Sequence, residues 1–122
     1  MTKQEALESY ELACEFEGSD PKSHLLFDES DPNLTERQKG LNATEKLKVL
    51  IRVANDGKIP QVGERRYFPY FEKDGSGRWV FDYYYFNYQY TIVGSRLEYL
   101  SLDMMKLIVD KHIDLYNLHL DN

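Results

Sequence analysis

The sequence is poor in the residues that form most recognisable catalytic and metal-binding motifs. It has one cysteine, Cys14, and three histidines among 122 residues. A single cysteine excludes an internal disulfide, and we expect Cys14 to be a small buried side chain of the first helix rather than a nucleophile. His24, His112 and His119 are scattered along the chain and give no zinc-ligand spacing. No metal and no cofactor is therefore predicted.

Long apolar runs are also absent. None approaches the roughly 20 residues that a membrane-spanning helix needs, and the first residues contain no apolar signal-peptide core. We therefore expect no membrane contact and a cytoplasmic site of synthesis. A composition of 42% hydrophobic and 30% charged residues is typical of a globular protein. The length predicts a single domain over residues 1–122, with a helical part at 1–60, a sheet at 66–100 and a closing helix at 101–119.

Common catalytic motifs are missing too. Gly94-Ser95-Arg96 lacks the second glycine of a nucleophile elbow, and no glycine-rich run matches a phosphate-binding loop. Asp74-Gly75-Ser76-Gly77 is better explained as a hairpin turn. No catalytic residue is therefore predicted. An enzyme stays open as the less favoured class, because active sites can be built from residues without a recognisable spacing.

The net charge of −6 is unevenly distributed. Residues 1–36 hold ten acids and two bases, a balance of −8, whereas residues 37–122 hold eleven acids and thirteen bases, a balance of +2. The acidic third has three interpretations. It could be a solvated helix face and loop, a patch for a basic partner, or a segment that packs over the mildly basic remainder of the same chain. Nonspecific duplex binding is not expected, since it depends on many phosphate contacts from lysine and arginine.

The first half of the chain is predicted to be helical. Residues 2–16 have the pattern of an amphipathic helix capped by Thr2, and residues 18–34 that of a loop with a short apolar plug at 25–27. A second helical region begins near Leu34, with a possible interruption near Gly40. Its stronger half covers residues 44–55, and Asn55-Asp56-Gly57 provides its stop.

The second half is predicted to form a sheet and a closing helix. Residues 66–72 and 78–85 alternate as strands around the 74–77 turn. A turn near Phe86-Asn87 leads to a third strand at 88–93, and residues 97–100 could be a short fourth. Ser101 then caps the last helix. The predicted fold is α+β: two N-terminal helices, an antiparallel aromatic-rich meander of three or four strands, and a C-terminal helix packed on one face.

What the sequence has in abundance is aromatic residues in one place. Thirteen of its seventeen aromatic residues lie between Tyr67 and Tyr99. Strand alternation puts a core set on one face (Trp79, Phe81, Tyr83 and Tyr85) and Val80, Asp82 and Tyr84 on the other, and the inverse assignment of the two faces stays open. So many rings cannot all point into one small core. Some are expected to face a ligand, a partner or another subunit.

Two kinds of binding are consistent with this block. Arg65, Arg66, Arg78 and Arg96 could combine with the tyrosines to hold a nucleotide or single-stranded nucleic acid, by stacking on bases and hydrogen bonding to phosphates. The arginines could instead stack on tyrosines of the same sheet. Tyrosine, tryptophan and arginine are also enriched where proteins bind each other, so a protein partner or a homodimer is the other hypothesis. The candidate binding residues are Tyr67, Tyr70, Arg78, Asp82, Tyr84 and Arg96.

Asp82 has two interpretations of its own. It lies in the middle of a predicted strand among aromatic rings. A carboxylate in that position could serve as a base or a ligand acceptor with a raised pKa. It could equally be an exposed strand residue that pairs with a tyrosine or an arginine.

Several segments together resemble one family. They are residues 10–14, residues 46–60, the strand Arg66-Tyr67-Phe68-Pro69-Tyr70-Phe71, the motif Val93-Gly94-Ser95-Arg96-Leu97, and Asp114-Leu115-Tyr116. Over most of its length the chain resembles small uncharacterised proteins encoded by phages and prophage-like elements of gut anaerobic bacteria. It departs from them after Pro60 and at Tyr70, where members commonly have tryptophan. The resemblance implies a phage or mobile-element origin and no established activity.

The leading functional hypothesis is a non-enzymatic phage or mobile-element accessory protein. It would bind a protein through the aromatic sheet and the Gly94-Ser95-Arg96 corner, alone or as a homodimer, in the cytoplasm of the bacterial host. The first alternative is nucleotide or single-strand capture, as a defence-signal sponge or a genome-handling protein. The second is a minor structural protein of the virion.

Overall fold

A computed structural model of the protein describes residues 1–88 and 97–121. Within these ranges the chain forms five α-helices and a two-stranded antiparallel sheet, so the predicted α+β class is confirmed. The elements are α1 (Lys3–Ala6), α2 (Tyr10–Glu17), α3 (Glu36–Ala54), β1 (Arg65–Lys73), β2 (Trp79–Tyr88), α4 (Leu102–Lys111) and α5 (Ile113–Leu120). A 3-10 helix, Pro21–His24, lies in the loop between α2 and α3. No helix in the described ranges has the length and apolarity to span a membrane.

The first helix is divided in two. Thr2 caps α1 as predicted, since its hydroxyl accepts a hydrogen bond from the N–H of Glu5. The single helix predicted over 2–16 is wrong, because Ser9 adopts an extended backbone and its side chain caps α2 through the N–H of Leu12. Gly18 ends α2 in the left-handed conformation, with φ of 79°. Cys14 is nevertheless buried on α2, as predicted.

Helix α3 is continuous through the position where an interruption was expected. Thr35 and Gln38 form a capping box that starts the helix, and Gly40 lies buried inside it. The helix ends at Ala54, after which Asp56 and Gly57 take positive φ values of 57° and 71°. This is the stop predicted from Asn55-Asp56-Gly57. The core forms where the apolar stripe of α3 meets the buried residues of α2, α4 and α5.

The hairpin of β1 and β2 is longer than predicted. The carboxylate of Asp74 accepts hydrogen bonds from the N–H groups of Ser76 and Arg78, and Gly77 has a φ of 87°. The prediction of a turn near Phe86-Asn87 is wrong. Both residues belong to β2 and pair with β1, Phe86 with Tyr67 and Asn87 with Arg66. Pairing with β1 thus carries the second strand through its expected end.

The other two predicted strands are described only in part. Residues 89–93 of the predicted third strand lie outside the described residues, as does Gly94-Ser95-Arg96. Within residues 97–100, the expected fourth strand is reduced to a single antiparallel bridge between Tyr99 and Tyr67. The two backbones exchange hydrogen bonds of 2.8 and 3.1 Å.

The C-terminal helix is also two helices. The side chain of Ser101 caps α4 at the N–H of Met104, as predicted. His112 follows the last residue of α4, and its φ of −120° is not helical, so the helix is interrupted there before α5 begins. Helices α4 and α5 cover one face of the hairpin: the ring of Tyr116 lies 4.8 Å from that of Phe71, and the ammonium group of Lys106 lies 5.7 Å from the Tyr84 ring. We call this the helix-facing side of the hairpin.

The acidic first third is partly neutralised within the molecule. Glu17 accepts two hydrogen bonds from the Arg52 guanidinium, at 2.7 and 2.8 Å, and this pairing lowers the pKa of the Glu17 carboxyl. Glu29 pairs with Lys46 at 2.8 Å. Both basic residues belong to α3. The other eight acids of residues 1–36 are exposed, which is consistent with a solvated helix face and loop.

Candidate interaction surface

A β-bulge at Asp82 decides which aromatic residues face outward. Tyr70 pairs with Tyr83 and the next residue of β1, Phe71, pairs with Phe81, so Asp82 is an extra residue on β2. Side chains normally alternate between the faces of a strand, and one extra residue reverses that alternation beyond it. Phe81 therefore packs against the core on the helix-facing side, whereas Tyr83 points to the opposite face.

The predicted core set is consequently split. Trp79 and Phe81 are half-buried, and the indole N–H of Trp79 donates to Asp121 at 2.8 Å. Tyr83 and Tyr85 are 52% and 49% exposed. Their assignment to the core was wrong, because it assumed regular alternation through Asp82.

Four rings form a ladder on the side away from the helices, three of them exposed and one, Phe68, half-buried. Phe68 stacks on Tyr85 with ring centroids 5.2 Å apart and planes 19° from parallel. Tyr70 lies against Tyr83 with centroids 4.7 Å apart. We call these four residues the outer aromatic face. Each pair bridges the two strands, and such cross-strand aromatic pairs stabilise a hairpin by about 0.5–1.5 kcal/mol beyond burial alone.

Two carboxylates lie beside this ladder toward the hairpin turn. Glu72 follows Tyr70 by two residues on β1, and Asp82 precedes Tyr83 on β2; both side chains are exposed. Repulsion by Asp82, together with a hydrogen bond between the two carboxyl groups, raises the pKa of Glu72. The outer aromatic face thus ends in a negatively charged site.

The helix-facing side of the hairpin holds two other predicted binding residues. Tyr67 is half-buried and lies 6.0 Å from Tyr84 between ring centroids. Tyr84 is 36% exposed and carries Lys106 over its ring. The structure therefore separates Tyr67 and Tyr84 from Tyr70 and Asp82, which lie on or beside the outer aromatic face.

The candidate arginines in the described ranges have contacts away from the outer aromatic face. Arg66 is 1% exposed and forms a buried ion pair with Glu98 at 3.1 Å. Arg78 lies at the hairpin turn, 3.0 Å from Asp114 of α5. The Arg65 guanidinium is 4.3 Å from the centroid of the Phe86 ring. Arg96, the remaining predicted binding residue, is outside the described residues.

A cavity of about 310 Å³ lies between the loop before α3, α3 itself and α5. Leu34, Ala43, Leu115 and Leu118 form its apolar wall. Two of its charged residues already satisfy each other, since Lys46 pairs with Glu29 at 2.8 Å. Because these charges are already paired within the chain, the cavity is a weaker candidate for a binding site than the outer aromatic face. Among the described residues, histidine, cysteine and carboxylate side chains form no group of three that could hold a metal ion.

Comparisons with protein-family models, with curated proteins and with solved structures gave no match. The geometry of this chain is therefore the basis for its proposed function.

Sequence reasoning did not select four residues of this surface: Phe68, Glu72, Tyr83 and Tyr85. The available signal was Asp82, a charged residue in an otherwise aromatic and apolar strand. A charged residue there can mark either a regular outward position or a bulge, and the second interpretation would have turned Tyr83 and Tyr85 outward.

Proposed function

We propose that the protein is a non-catalytic accessory protein of a phage or mobile element, which binds another protein through the outer aromatic face. The observation that carries the proposal is the exposure of Tyr70, Tyr83 and Tyr85 side by side on a paired hairpin. Exposed rings that pack against each other supply contact area at a low entropic cost. A contiguous apolar patch of this kind usually marks an association site.

Rigidity of the surrounding hairpin supports the same function. Both strands pair through nine residues of β1, and α4 and α5 cover the opposite side. Asn117 of α5 anchors the first residue of β2 through two hydrogen bonds. A surface built on such elements is already ordered before binding, which reduces the entropy lost when a partner docks.

The charge of this surface favours protein over nucleic acid. Binding a single strand by stacking also requires cations that follow the phosphates. Here the rings lie beside Glu72 and Asp82, while Arg66 is buried against Glu98 and Arg78 is paired with Asp114. Carboxylates at the end of the ladder repel a phosphate backbone, so the outer aromatic face favours a protein partner over a single strand.

Site-specific photo-crosslinking tests the proposal. The variant Tyr85→p-benzoylphenylalanine keeps a large ring on the outer aromatic face and forms a covalent bond to whatever lies against it. We expect irradiation of cells that naturally contain the protein to give a discrete protein adduct, identified by mass spectrometry. The matched control is Phe16→p-benzoylphenylalanine, because Phe16 is 44% exposed on α2 and lies on the helical part of the molecule.

Three outcomes would overturn the proposal. They are equal adducts from both positions, adducts with nucleic acid alone, and no adduct from position 85 in a folded protein. As an independent measurement, a fluorescent oligothymidine strand should show no binding that depends on Tyr83 and Tyr85. Adducts to a second copy of this chain would identify the partner as the protein itself, and sedimentation velocity would then show a dimer.

A further inference from the structure

The outer aromatic face has two chemically different parts in one line, which restricts what can lie on it. Tyr70 and Glu72 are two residues apart on β1, so they point to the same side of the strand about 7 Å from each other. From β2, Tyr83 lies opposite Tyr70 and Val80 lies opposite Glu72, and Asp82 is the extra residue of the bulge beside Tyr83. A ring pair is therefore followed, one strand repeat later, by Glu72, whose carboxyl group is hydrogen-bonded to that of the bulge residue Asp82.

This spacing matches an extended polypeptide. In an extended segment, side chains on the same side recur every two residues, also about 7 Å apart. One such side chain can lie against Tyr70 and Tyr83 while the next reaches Glu72 and Asp82. Recognition of extended segments by side-chain sites at alternate positions is a recurrent mode of peptide binding.

The carboxylate pair selects the charge of the second side chain. Both groups are exposed, and each repels the other when ionised, as the raised pKa of Glu72 indicates. A cation placed between them removes that repulsion. The neighbouring tyrosine rings favour the same charge, because the face of an aromatic ring attracts cations.

We infer that the outer aromatic face docks an extended segment of a partner protein in which an apolar or aromatic side chain lies against Tyr70 and Tyr83 and a lysine or arginine, two residues away, pairs with Glu72 and Asp82. The inference rests on the proposed protein-binding function and specifies the chemistry of the partner. The net charge of −6 adds a long-range attraction for a basic partner. It also disfavours a second copy of this chain, which would bring another pair of carboxylates and the same net charge.

Selection from a library of random peptides, each about 12 residues long, tests the inference with the full chain as the only bait. Peptides are selected on the immobilised full chain and counter-selected on the double variant Tyr83→Thr, Tyr85→Thr, which removes two rings but keeps strand-forming residues. Circular dichroism and urea unfolding verify that this variant is folded. Peptides that survive depend on the outer aromatic face, and we expect lysine or arginine to be enriched in them two residues from an apolar or aromatic position.

The affinities of the surviving peptides are then measured by fluorescence anisotropy. For the double variant Glu72→Gln, Asp82→Asn, we expect binding to weaken by about tenfold. This is the loss typical of removing one partner from a charge pair that is only partly desolvated. The matched control is Glu11→Gln, Glu15→Gln on the exposed side of α2, which changes the net charge by the same amount. It should weaken binding by less than about twofold, through long-range electrostatics alone.

The outcomes separate this inference from the proposed function. Two outcomes would overturn the inference and leave the protein-binding function in place. Either the surviving peptides contain no basic residue, or they bind the Glu72→Gln, Asp82→Asn variant as tightly as the unchanged protein. Acidic peptides that bind this variant more tightly would have the same meaning. If no peptide survives counter-selection against the folded tyrosine variant, the outer aromatic face recognises no extended segment and the inference fails. The protein-binding function fails only if position 85 also gives no protein adduct on crosslinking.

Discussion

Asn117 binds the backbone of Trp79 with both ends of its side-chain amide. Its Oδ1 accepts a hydrogen bond from the Trp79 N–H at 2.8 Å, and its Nδ2 donates to the Trp79 carbonyl at 2.9 Å. The amide thus does for the first residue of β2 what a neighbouring strand would do. Two other buried asparagines act in the same way: Asn55 binds the backbone of Glu98 and Leu100, and Asn42 that of Leu26 and Phe27. Each attaches a loop or a strand to a helix.

Replacing Asn117 with alanine should destabilise the protein measurably. The change leaves the N–H and carbonyl of Trp79 without their partner, and an unsatisfied buried polar group costs about 1–3 kcal/mol. We expect the free energy of unfolding, measured by urea titration, to fall by about that amount. The control is Asn33→Ala in the exposed loop before α3, which should change the free energy of unfolding by less than about 0.5 kcal/mol. Equal effects of the two substitutions would contradict the anchoring role.

A buried pair of tyrosine hydroxyls predicts a strongly non-additive mutant cycle. The hydroxyl oxygens of Tyr99 and Tyr116 are 2.6 Å apart, and burial is the main cause that raises the pKa of both groups. Either single substitution, Tyr99→Phe or Tyr116→Phe, leaves one buried hydroxyl without this partner and should cost about 1–3 kcal/mol. The double substitution removes both hydroxyls, and we expect it to cost less than the sum of the two singles. Chemical unfolding of the four proteins measures the coupling, and strict additivity would mean that the hydroxyls do not interact.

Acid should destabilise the fold through two histidines. His112 donates from Nε2 to the carbonyl of Leu7 at 2.7 Å, and His119 contacts the hydroxyl of Thr44 through Nδ1 at 2.6 Å. Burial lowers the pKa of both below the ordinary value of 6.5. The unfolded chain therefore binds more protons than the folded one in this range, so stability is complete above about pH 6.5 and is lost as the pH falls through the lowered folded pKa values.

Urea unfolding at a series of pH values between about 7.5 and 5 measures this effect, with the window set by the histidine pKa values. The double variant His112→Asn, His119→Asn should be less stable at neutral pH and should show a flatter dependence on pH in this range. The ion pair of Glu17 with Arg52 serves as an internal reference. The lowered pKa of the Glu17 carboxyl means that the stability contributed by this ion pair is lost only at more acidic pH, below the ordinary carboxyl pKa of 4.5. An unchanged slope in the histidine variant would assign the acid sensitivity to other groups.

Local signals in the sequence were sufficient to predict several element ends, although not the end of β2. Thr2, Ser101, Gly18 and the Asn55-Asp56-Gly57 stop act in the structure as their residue types indicate, because caps and left-handed turns depend on a few neighbouring atoms. The exceptions are breaks inside periodic segments. Ser9 begins a new helix within a continuous amphipathic pattern, and His112 divides the predicted C-terminal helix in two.

Features that depend on pairing across the fold could not be predicted in this way. By residue type Arg66 is a phosphate-binding candidate. In the fold it forms a buried ion pair with Glu98, which is 32 residues later in the sequence. The outward direction of Tyr83 and Tyr85 depends on the register between two strands, and one extra residue reverses it. The composition did indicate that some rings face outward. Which rings do so is a tertiary property.

Deleting Asp82 should test the bulge directly. Because Tyr70 pairs with Tyr83 and Phe71 with Phe81, the deletion joins two residues that already lie opposite consecutive positions of β1. We expect a regular strand in which Phe81 stays on the helix-facing side and Tyr83 and Tyr85 stay exposed, at a cost of less than about 2 kcal/mol in the free energy of unfolding. Deleting Tyr84 is the matched control, since it moves Tyr85 and Phe86 to opposite faces and should cost clearly more. Circular dichroism and urea unfolding of both variants measure the difference. If the loss of Asp82 is as damaging as the loss of Tyr84, β2 alternates regularly through position 82 and the outer aromatic face does not contain Tyr83 and Tyr85.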